Sequence, residues 1–123
     1  LSIEGERHGI RVNSLAPTAA TRMTESLFPA DMLSAFDASA VVPAMLVLAS
    51  EDAPNRTTLC AGAGGFEAAN ITLTRGASVG TGADAPEQLA ARLAEVTDRG
   101  GETVPGSGVE QGANELRLAR GAG

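Results

Sequence analysis

The residues that most constrain the fold are 10–17, a short β-forming run that ends abruptly at a proline. Pro17 has no amide hydrogen to give to a strand ladder, so the strand is predicted to end there. Residues 1–8 before it have the pattern of a helix end, and Gly9 is suited to cap that helix. The order of helix, glycine and strand predicts the second half of a βαβ unit, whose parallel strand needs neighbouring strands and covering helices.

The next helix and strand along the chain continue this alternation. Residues 39–50 have the clearest helical pattern, because their apolar side chains recur at helical spacing and form one stripe. The stripe consists of Val42, Met45, Leu46 and Ala49. Either Asp37 or Ser39 can cap the amino terminus of this helix. Residues 57–61 then predict a short strand, so the chain is expected to have an α/β fold.

The second half of the chain has weaker patterns. Residues 70–75 alternate apolar and polar side chains, which predicts a half-exposed strand. The apolar spacing of residues 86–98 predicts a helix that begins with a proline. Residues 99–123 are rich in glycine and offer few side chains to bury, so we expect a disordered tail there. The expected organisation is one α/β region over residues 1–98, followed by that tail.

Composition and charge exclude several classes of partner. The formal net charge of −6 argues against nucleic acid, whose binding needs a basic surface. The apolar run over residues 40–49 is too short to span a bilayer, so no membrane partner is expected. Cys60 is the only cysteine, which leaves no intrachain disulfide and no multi-thiolate metal site. We therefore expect a reduced, cytoplasmic setting and no bound metal.

A glycine-rich segment over residues 60–65 invites comparison with a dinucleotide-binding loop. If Gly62 and Gly64 were the first two glycines of that fingerprint, the third would fall at position 67, which is Glu67. The fingerprint also needs a long helix after the glycines, and here a strand pattern follows instead. These residues are therefore predicted to form a tight turn rather than a phosphate site.

The stretch that follows Pro17 is the strongest candidate for a functional site. It comes just after the carboxyl end of a buried strand, where open α/β sheets bind their ligands. Residues 18–24 are mostly small or carry hydroxyls, so amides and threonine oxygens can approach a polar ligand closely. Residues 18–37 as a whole are typical of a mobile flap over such a site. The alternative is a plain connecting loop.

Several segments resemble the short-chain dehydrogenase/reductase family. "LSIEGERHGIRVNSLAPTAATRMTE" resembles the segment after that family's catalytic helix, "ASAVVPAMLVLASEDA" its next long helix, and "TLCAGAGGF" its final strand. "TRMTE", "NITLTRG" and "APEQLAARLAEVTD" are similar to the branch that contains the (3R)-hydroxyacyl-CoA dehydrogenase domain of multifunctional β-oxidation enzymes. The resemblance covers residues 1 to about 98. It implies the carboxyl-terminal portion of a Rossmann-like doubly wound parallel sheet, an incomplete fold.

The resemblance also implies a cofactor, NAD or NADP, held by the loop after the proline-ended strand. The residues that match this loop are Pro17, Thr18, Ala19, Ala20, Thr21 and Arg22. The family's common pattern has a threonine five residues after the proline, whereas Thr21 lies four residues after it and Arg22 five. Either side chain can therefore meet the cofactor. The matching substrate entrance consists of Met23, Met32 and Phe36, and Asn13 matches a structural strand asparagine.

The family's proton transfer needs a tyrosine and a lysine four residues after it, and this chain contains neither residue type. We therefore assign no catalytic residue here, and we expect the chain alone to be inactive. Two hypotheses remain open. The first is part of an NAD(P)-dependent oxidoreductase, acting on a small-molecule secondary alcohol or acyl thioester and forming homo-oligomers as a whole enzyme. The second is a non-catalytic truncated module that keeps only surfaces for subunit association.

Overall fold

The computed structural model describes residues 1–121, which divide into two compact units, residues 1–70 and 71–121. The first unit contains the sheet and the second contains only helices and irregular segments. This division falls after Asn70, whereas the sequence predicted one region extending to residue 98. Each unit is described by itself.

The first unit is built on a three-stranded sheet in the order β1-β2-β3. β1 (Ser14–Pro17) runs parallel to β2 (Thr58–Gly62), and their last paired residues are Pro17 and Ala61. The strand predicted over residues 10–16 is thus present in its second half and ends at the proline. This parallel pair and its helical connection confirm the predicted α/β class.

Four helical segments accompany the strands of this unit. α1 (Ser2–Glu6) precedes β1, and Gly9 follows it with a φ of 69°, a left-handed conformation that glycine adopts without strain. The connection from β1 to β2 contains α2 (Ala30–Leu33), a 3₁₀ helix (Ala38–Val41) and α3 (Val42–Ala49). The last two together confirm the helix predicted over residues 39–50.

The core of the first unit is small because short side chains dominate it. Its buried cluster consists of Val41, Ala44 and Ala61, with Leu15, Ala19 and Leu59 packed around it. Ala44 faces the sheet and is only 2% exposed. The stripe predicted from helical spacing is exposed instead, at 49% for Val42, 61% for Met45 and 66% for Leu46. Nearly every residue of α3 is apolar, so spacing alone could not select the face that meets the sheet.

β2 and β3 (Gly65–Ala69) form an antiparallel hairpin with Gly62 opposite Gly65. The two residues between them, Ala63 and Gly64, have φ values of 51° and 79°. Positive φ at both positions is what a two-residue type I′ turn requires. The glycine-rich segment is therefore a hairpin turn, as the sequence indicated. β3 itself was not predicted, because its sequence has no regular alternation of apolar side chains.

Gly62 is a point of close backbone approach at the end of β2. A Cβ atom at this position would lie 3.0 Å from both the Cβ and the carbonyl oxygen of Thr18, and 3.4 Å from Cε1 of Phe36. The absence of a side chain therefore lets β2 end directly against the segment that follows β1.

Asn13 ties the entry of β1 to the loop before β2. Its Nδ2 donates to the carbonyl oxygen of Pro54 at 2.7 Å, and its Oδ1 accepts from the amide of Thr57 at 3.1 Å. The neighbouring Val12 amide donates to Oδ1 of Asn55 at 2.9 Å. These bonds confirm the structural role predicted for Asn13, and they set the register in which the two parallel strands begin.

The second unit contains α4 (Ala85–Ala91), α5 (Leu93–Val96) and α6 (Gly108–Ala119). The helix predicted over residues 86–98 is present but divides at Arg92, which has a non-helical φ of −107°. Arg92 donates to both carboxylate oxygens of Glu95, and this hydrogen-bonded pair lowers the pKa of Glu95.

Two predictions for this unit differ from the structure. Residues 70–75 form no strand, and Leu73 makes only an isolated antiparallel bridge with Thr103. Residues 108–119 form α6, whereas the glycine content had indicated disorder over residues 99–123. Within α6, Gln111 donates to Glu115 one turn later at 2.9 Å, a side-chain pair that favours a helix despite two glycines.

The Asn13 tie predicts a specific sensitivity to charge. Asn13→Asp keeps the acceptor for Thr57 but replaces the donor to Pro54 with a carboxylate oxygen, which should destabilise the first unit by about 1–3 kcal/mol at pH 7. The deficit should shrink below about pH 4, because a protonated carboxyl can donate to the Pro54 carbonyl again. Urea unfolding followed by circular dichroism measures both effects.

The matched control for this prediction is Asn70→Asp. Asn70 is exposed and has no side-chain hydrogen bond within residues 1–121, so the same chemical change should leave the unfolding midpoint nearly unchanged. Equal midpoints for Asn13→Asp and Asn70→Asp would contradict the role given to Asn13.

The close approach at Gly62 predicts that a single methyl group disturbs the end of the sheet. Gly62→Ala should lower the free energy of unfolding by about 1–3 kcal/mol, because Thr18 backbone must move to make room. The control is Gly65→Ala, whose Cβ would meet only the Gly62 oxygen at an ordinary 3.4 Å. Urea unfolding of both variants tests the claim, and it fails if Gly62→Ala is as stable as Gly65→Ala.

Candidate functional site

The candidate loop starts where both parallel strands end. The amide of Thr18 donates to the carbonyl oxygen of Ala61 at 2.8 Å, which extends the ladder one residue beyond Pro17. The loop therefore leaves the sheet at its carboxyl edge, the position at which open α/β sheets bind ligands. This placement is the one predicted from the sequence.

Residues 19–24 are folded around the hydroxyl of Thr24. Its Oγ1 accepts from the Thr21 amide at 2.8 Å and donates to the Ala19 carbonyl oxygen at 2.9 Å. It also lies 3.2 Å from Oγ1 of Thr21. The Thr24 and Glu25 amides in turn donate to the Thr21 carbonyl oxygen, so the loop enters a series of turns there. The loop has a defined shape.

A second contact joins this loop to the flap that follows it. The amide of Ala20 donates to the carbonyl oxygen of Phe36 at 2.7 Å. The Phe36 ring stacks on Phe28 with ring centroids 5.1 Å apart and an interplanar angle of 23°. Residues 28–36, which include α2, are thus attached to the loop at one end. The backbone hydrogen bond provides this attachment, and the aromatic stacking joins the two ends of residues 28–36 to each other.

The donors that remain for a ligand are few and can be identified. The Thr18, Ala20 and Thr21 amides are all used within the fold. Within residues 1–121, the amide of Ala19 and both the amide and the guanidinium of Arg22 have no hydrogen-bond partner. Arg22 is exposed, so its positive charge is available to an anion.

A shallow pocket of about 380 Å³ lies beside the loop at the carboxyl ends of the strands. It is lined by Thr18, Phe36, Cys60, Ala61, Gly62, Gly65, Phe66 and Glu67. The structure therefore brings together Thr18 from the predicted cofactor loop and Phe36 from the predicted substrate entrance.

The other two entrance residues do not line this pocket. Met23 is 88% exposed and Met32 is 40% exposed. The place of Met23 and Met32 at a substrate entrance stays a prediction, because both side chains are exposed and neither lines this pocket.

Sequence reasoning missed the contribution of β2 and β3 to the pocket. Cys60, Phe66 and Glu67 line it because the hairpin ends beside the loop. The glycines around the turn were the sequence signal for this hairpin. The register between β1 and β2 was also needed to show that the hairpin ends beside the loop. The role of Thr24 was also missed, because no sequence pattern indicates that its hydroxyl bonds both the Thr21 amide and the Ala19 carbonyl oxygen.

Asp37, the last residue of the flap, is a titratable group whose pKa is shifted. Its carboxylate accepts hydrogen bonds from the hydroxyl and the amide of Ser39, and these bonds lower the pKa of Asp37. Asp37, and not Ser39, is therefore the residue that caps the helical segment over residues 38–49. It stays ionised at neutral pH and anchors the end of the flap.

Residues 1–121 lack two features of other protein classes. They contain no group of three or more side chains able to hold a metal ion. None of their helices has the length and apolar character required to cross a membrane.

No protein-family model matches the chain. A Mycobacterium tuberculosis protein named as a short-chain type dehydrogenase/reductase is 34% identical over 110 residues, which are 86% of this chain and 37% of that protein. A peroxisomal hydratase-dehydrogenase-epimerase of Neurospora crassa is 36% identical over 58 residues, 47% of this chain and 6% of that one. The mouse peroxisomal multifunctional enzyme type 2 is 41% identical over 51 residues, 42% of this chain and 7% of the enzyme.

A solved structure shows the same fold. The full-length peroxisomal multifunctional enzyme type 2 of Drosophila melanogaster superposes with a TM-score of 0.75 at 20% identity, covering 98% of this chain and 22% of that one. The chain thus spans about a third of the length of the mycobacterial relative and less of the multifunctional enzymes. These matches confirm the predicted resemblance of this chain to the short-chain dehydrogenases/reductases, including their multifunctional peroxisomal relatives.

Proposed function

We propose that this chain supplies the nicotinamide-side wall and the substrate entrance of an NAD(P)-dependent short-chain oxidoreductase. The substrate class is a secondary alcohol or its ketone, such as a 3-hydroxyacyl-CoA. The observation that carries the proposal is the folded loop over residues 17–22 at the carboxyl edge of the parallel strands, which keeps a free cation and free amides. The names of the relatives support the reaction class.

The donors of the loop fit the nicotinamide end of such a cofactor. Arg22 offers an exposed guanidinium that matches a phosphate group, and the Ala19 amide can donate to a second oxygen. The Thr21 hydroxyl is exposed at the same edge and suits a carboxamide. When bound, the nicotinamide supplies the acceptor or donor of a hydride. The role of this chain is to bind and orient that ring beside the pocket.

The proton transfer of the reaction does not come from this chain. A general acid or base must reach the substrate oxygen, and the chain has no tyrosine and no lysine with which to form the family's pair. We therefore expect the 123-residue chain by itself to reduce no NAD in the presence of a 3-hydroxyacyl-CoA.

The alternative is a module that only associates with other subunits. It is favoured by the exposed apolar face of α3, formed by Val42, Met45 and Leu46. Apolar side chains this exposed on one helix mark an association surface. This alternative needs no cofactor, so binding of NAD(H) distinguishes it from the first. A homo-oligomer and a cytoplasmic location stay predictions under either function.

The proposal predicts the effects of two loop substitutions. In protein expressed from the complete open reading frame that encodes this chain, Thr21→Val removes only the hydroxyl's hydrogen bonding. Loss of one bond costs about 0.5–1.5 kcal/mol with a neutral partner and about 1.5–3 kcal/mol with a charged one. The NAD(H) affinity should therefore fall by roughly threefold to a hundredfold, as measured by isothermal titration calorimetry.

Arg22→Gln identifies which side chain meets the phosphate. If Arg22 pairs with the phosphate, Arg22→Gln should lower the NAD(H) affinity more than Thr21→Val does. The effect of Arg22→Gln on the affinity should diminish as the salt concentration is raised. The control is Arg120→Gln, which makes the same change in the second unit and should leave the affinity unchanged. NAD(H) affinity that stays the same in both Thr21→Val and Arg22→Gln would show that residues 17–22 are only a connecting loop.

A further inference from the structure

Thr24 occupies the centre of the loop's hydrogen bonds. A threonine hydroxyl has one proton to donate and two lone pairs that accept. Two carbonyl oxygens are in reach of the Thr24 proton, that of Ala19 at 2.9 Å and that of Thr21 at 3.3 Å. The Thr21 amide occupies one of the lone pairs at 2.8 Å. The proton of Thr24 is therefore directed to the backbone.

This arrangement determines whether the neighbouring Thr21 hydroxyl donates or accepts a hydrogen bond. The two hydroxyl oxygens lie 3.2 Å apart, and either could in principle donate to the other. Since the Thr24 proton is used by a carbonyl oxygen, the Thr21 hydroxyl is the donor in this 3.2 Å contact, and the remaining lone pair of Thr24 accepts. Thr21 then has no proton left for a ligand and presents only lone pairs. Its outward-facing hydroxyl is an acceptor.

We propose that Thr24 is a positioning residue, which fixes the conformation of residues 19–24 and makes the Thr21 hydroxyl a hydrogen-bond acceptor toward the ligand. Thr24 is half-buried, and the hydrogen bonds of its Oγ1 are all with Ala19 and Thr21. Its significance for the cofactor rests on the proposed function. Because the Thr21 hydroxyl then only accepts, the donors left for an anionic oxygen are the Arg22 guanidinium and the free amides of Ala19 and Arg22.

The first experiment measures the hydrogen bonding of the loop in protein without bound cofactor. Amide hydrogen exchange of Thr21, followed by NMR on protein from the complete open reading frame, reports the bond to Thr24 directly. Thr24→Val should accelerate this exchange by roughly three- to tenfold, because the acceptor is lost and the shape is kept. Thr24→Ser should restore the wild-type rate, since serine retains the hydroxyl.

The matched control is Thr103→Val, which removes an exposed hydroxyl with no hydrogen-bond partner within residues 1–121. It should leave the exchange of the Thr21 amide unchanged. An unchanged Thr21 exchange rate in Thr24→Val, or a failure of Thr24→Ser to restore it, would overturn the positioning role. This result does not depend on whether the protein binds a dinucleotide.

The second experiment tests the acceptor character of Thr21. NAD carries an amide N–H donor on its nicotinamide, whereas its 3-acetylpyridine analogue carries a methyl ketone there. Thr21→Val and Thr24→Val should each lower the affinity for NAD by threefold or more. Each should lower the affinity for the analogue by less than twofold. Equal losses for both ligands would overturn the acceptor assignment. If wild-type protein binds neither ligand, the proposed function fails, and the exchange experiment still decides the role of Thr24.

Discussion

The first unit depends on the parallel pairing of β1 with β2. This pairing places Pro17 opposite Ala61, and the Thr18 amide adds one more bond to Ala61 before the chain turns away. Asn13 holds the opposite end of the pair through two bonds to the loop before β2. The register set at one end therefore determines where the loop over residues 17–22 begins at the other end. A shift of one residue would move every side chain of β1 to the other face.

Close approach of backbones takes the place of large buried side chains in this unit. Ala44 and Ala61 fill the space between α3 and the sheet, and Gly62 lets the hairpin meet Thr18. Apolar burial scales with area, so a cluster of small residues contributes little stability of its own. Much of the apolar character of α3 is left on the exposed side. The chain therefore combines a defined loop geometry with an apolar surface able to associate.

The sequence predicted those parts of the fold that depend on local chemistry. Pro17 ended a strand because it lacks an amide hydrogen. The glycine-rich segment formed a turn in which Gly64 takes one of the two positive-φ positions and Ala63 the other. What it missed depends on contacts distant in the chain. β3 exists only through its pairing with β2, and the face of α3 that meets the sheet is chosen by the small Ala44.

In the candidate site, too, some features were predictable from the sequence and others required the structure. The position of the loop was predictable, because the strand that ends at Pro17 passes into a loop at the carboxyl edge of the sheet. The pocket residues on β2 and β3 required the register between the strands. Thr24 required the coordinates of three hydrogen bonds that meet at one hydroxyl. The sequence thus located the loop but left its internal arrangement open.

The most direct test of the account is a crystal structure of the protein, expressed from its complete open reading frame, with NAD(H) bound. We expect the nicotinamide ring to lie against residues 17–22, with its carboxamide nitrogen within hydrogen-bond distance of the Thr21 hydroxyl. The hairpin turn at Ala63 and Gly64 should make no contact with the pyrophosphate. A bound dinucleotide whose nicotinamide lies away from residues 17–22 would contradict the assignment of this loop.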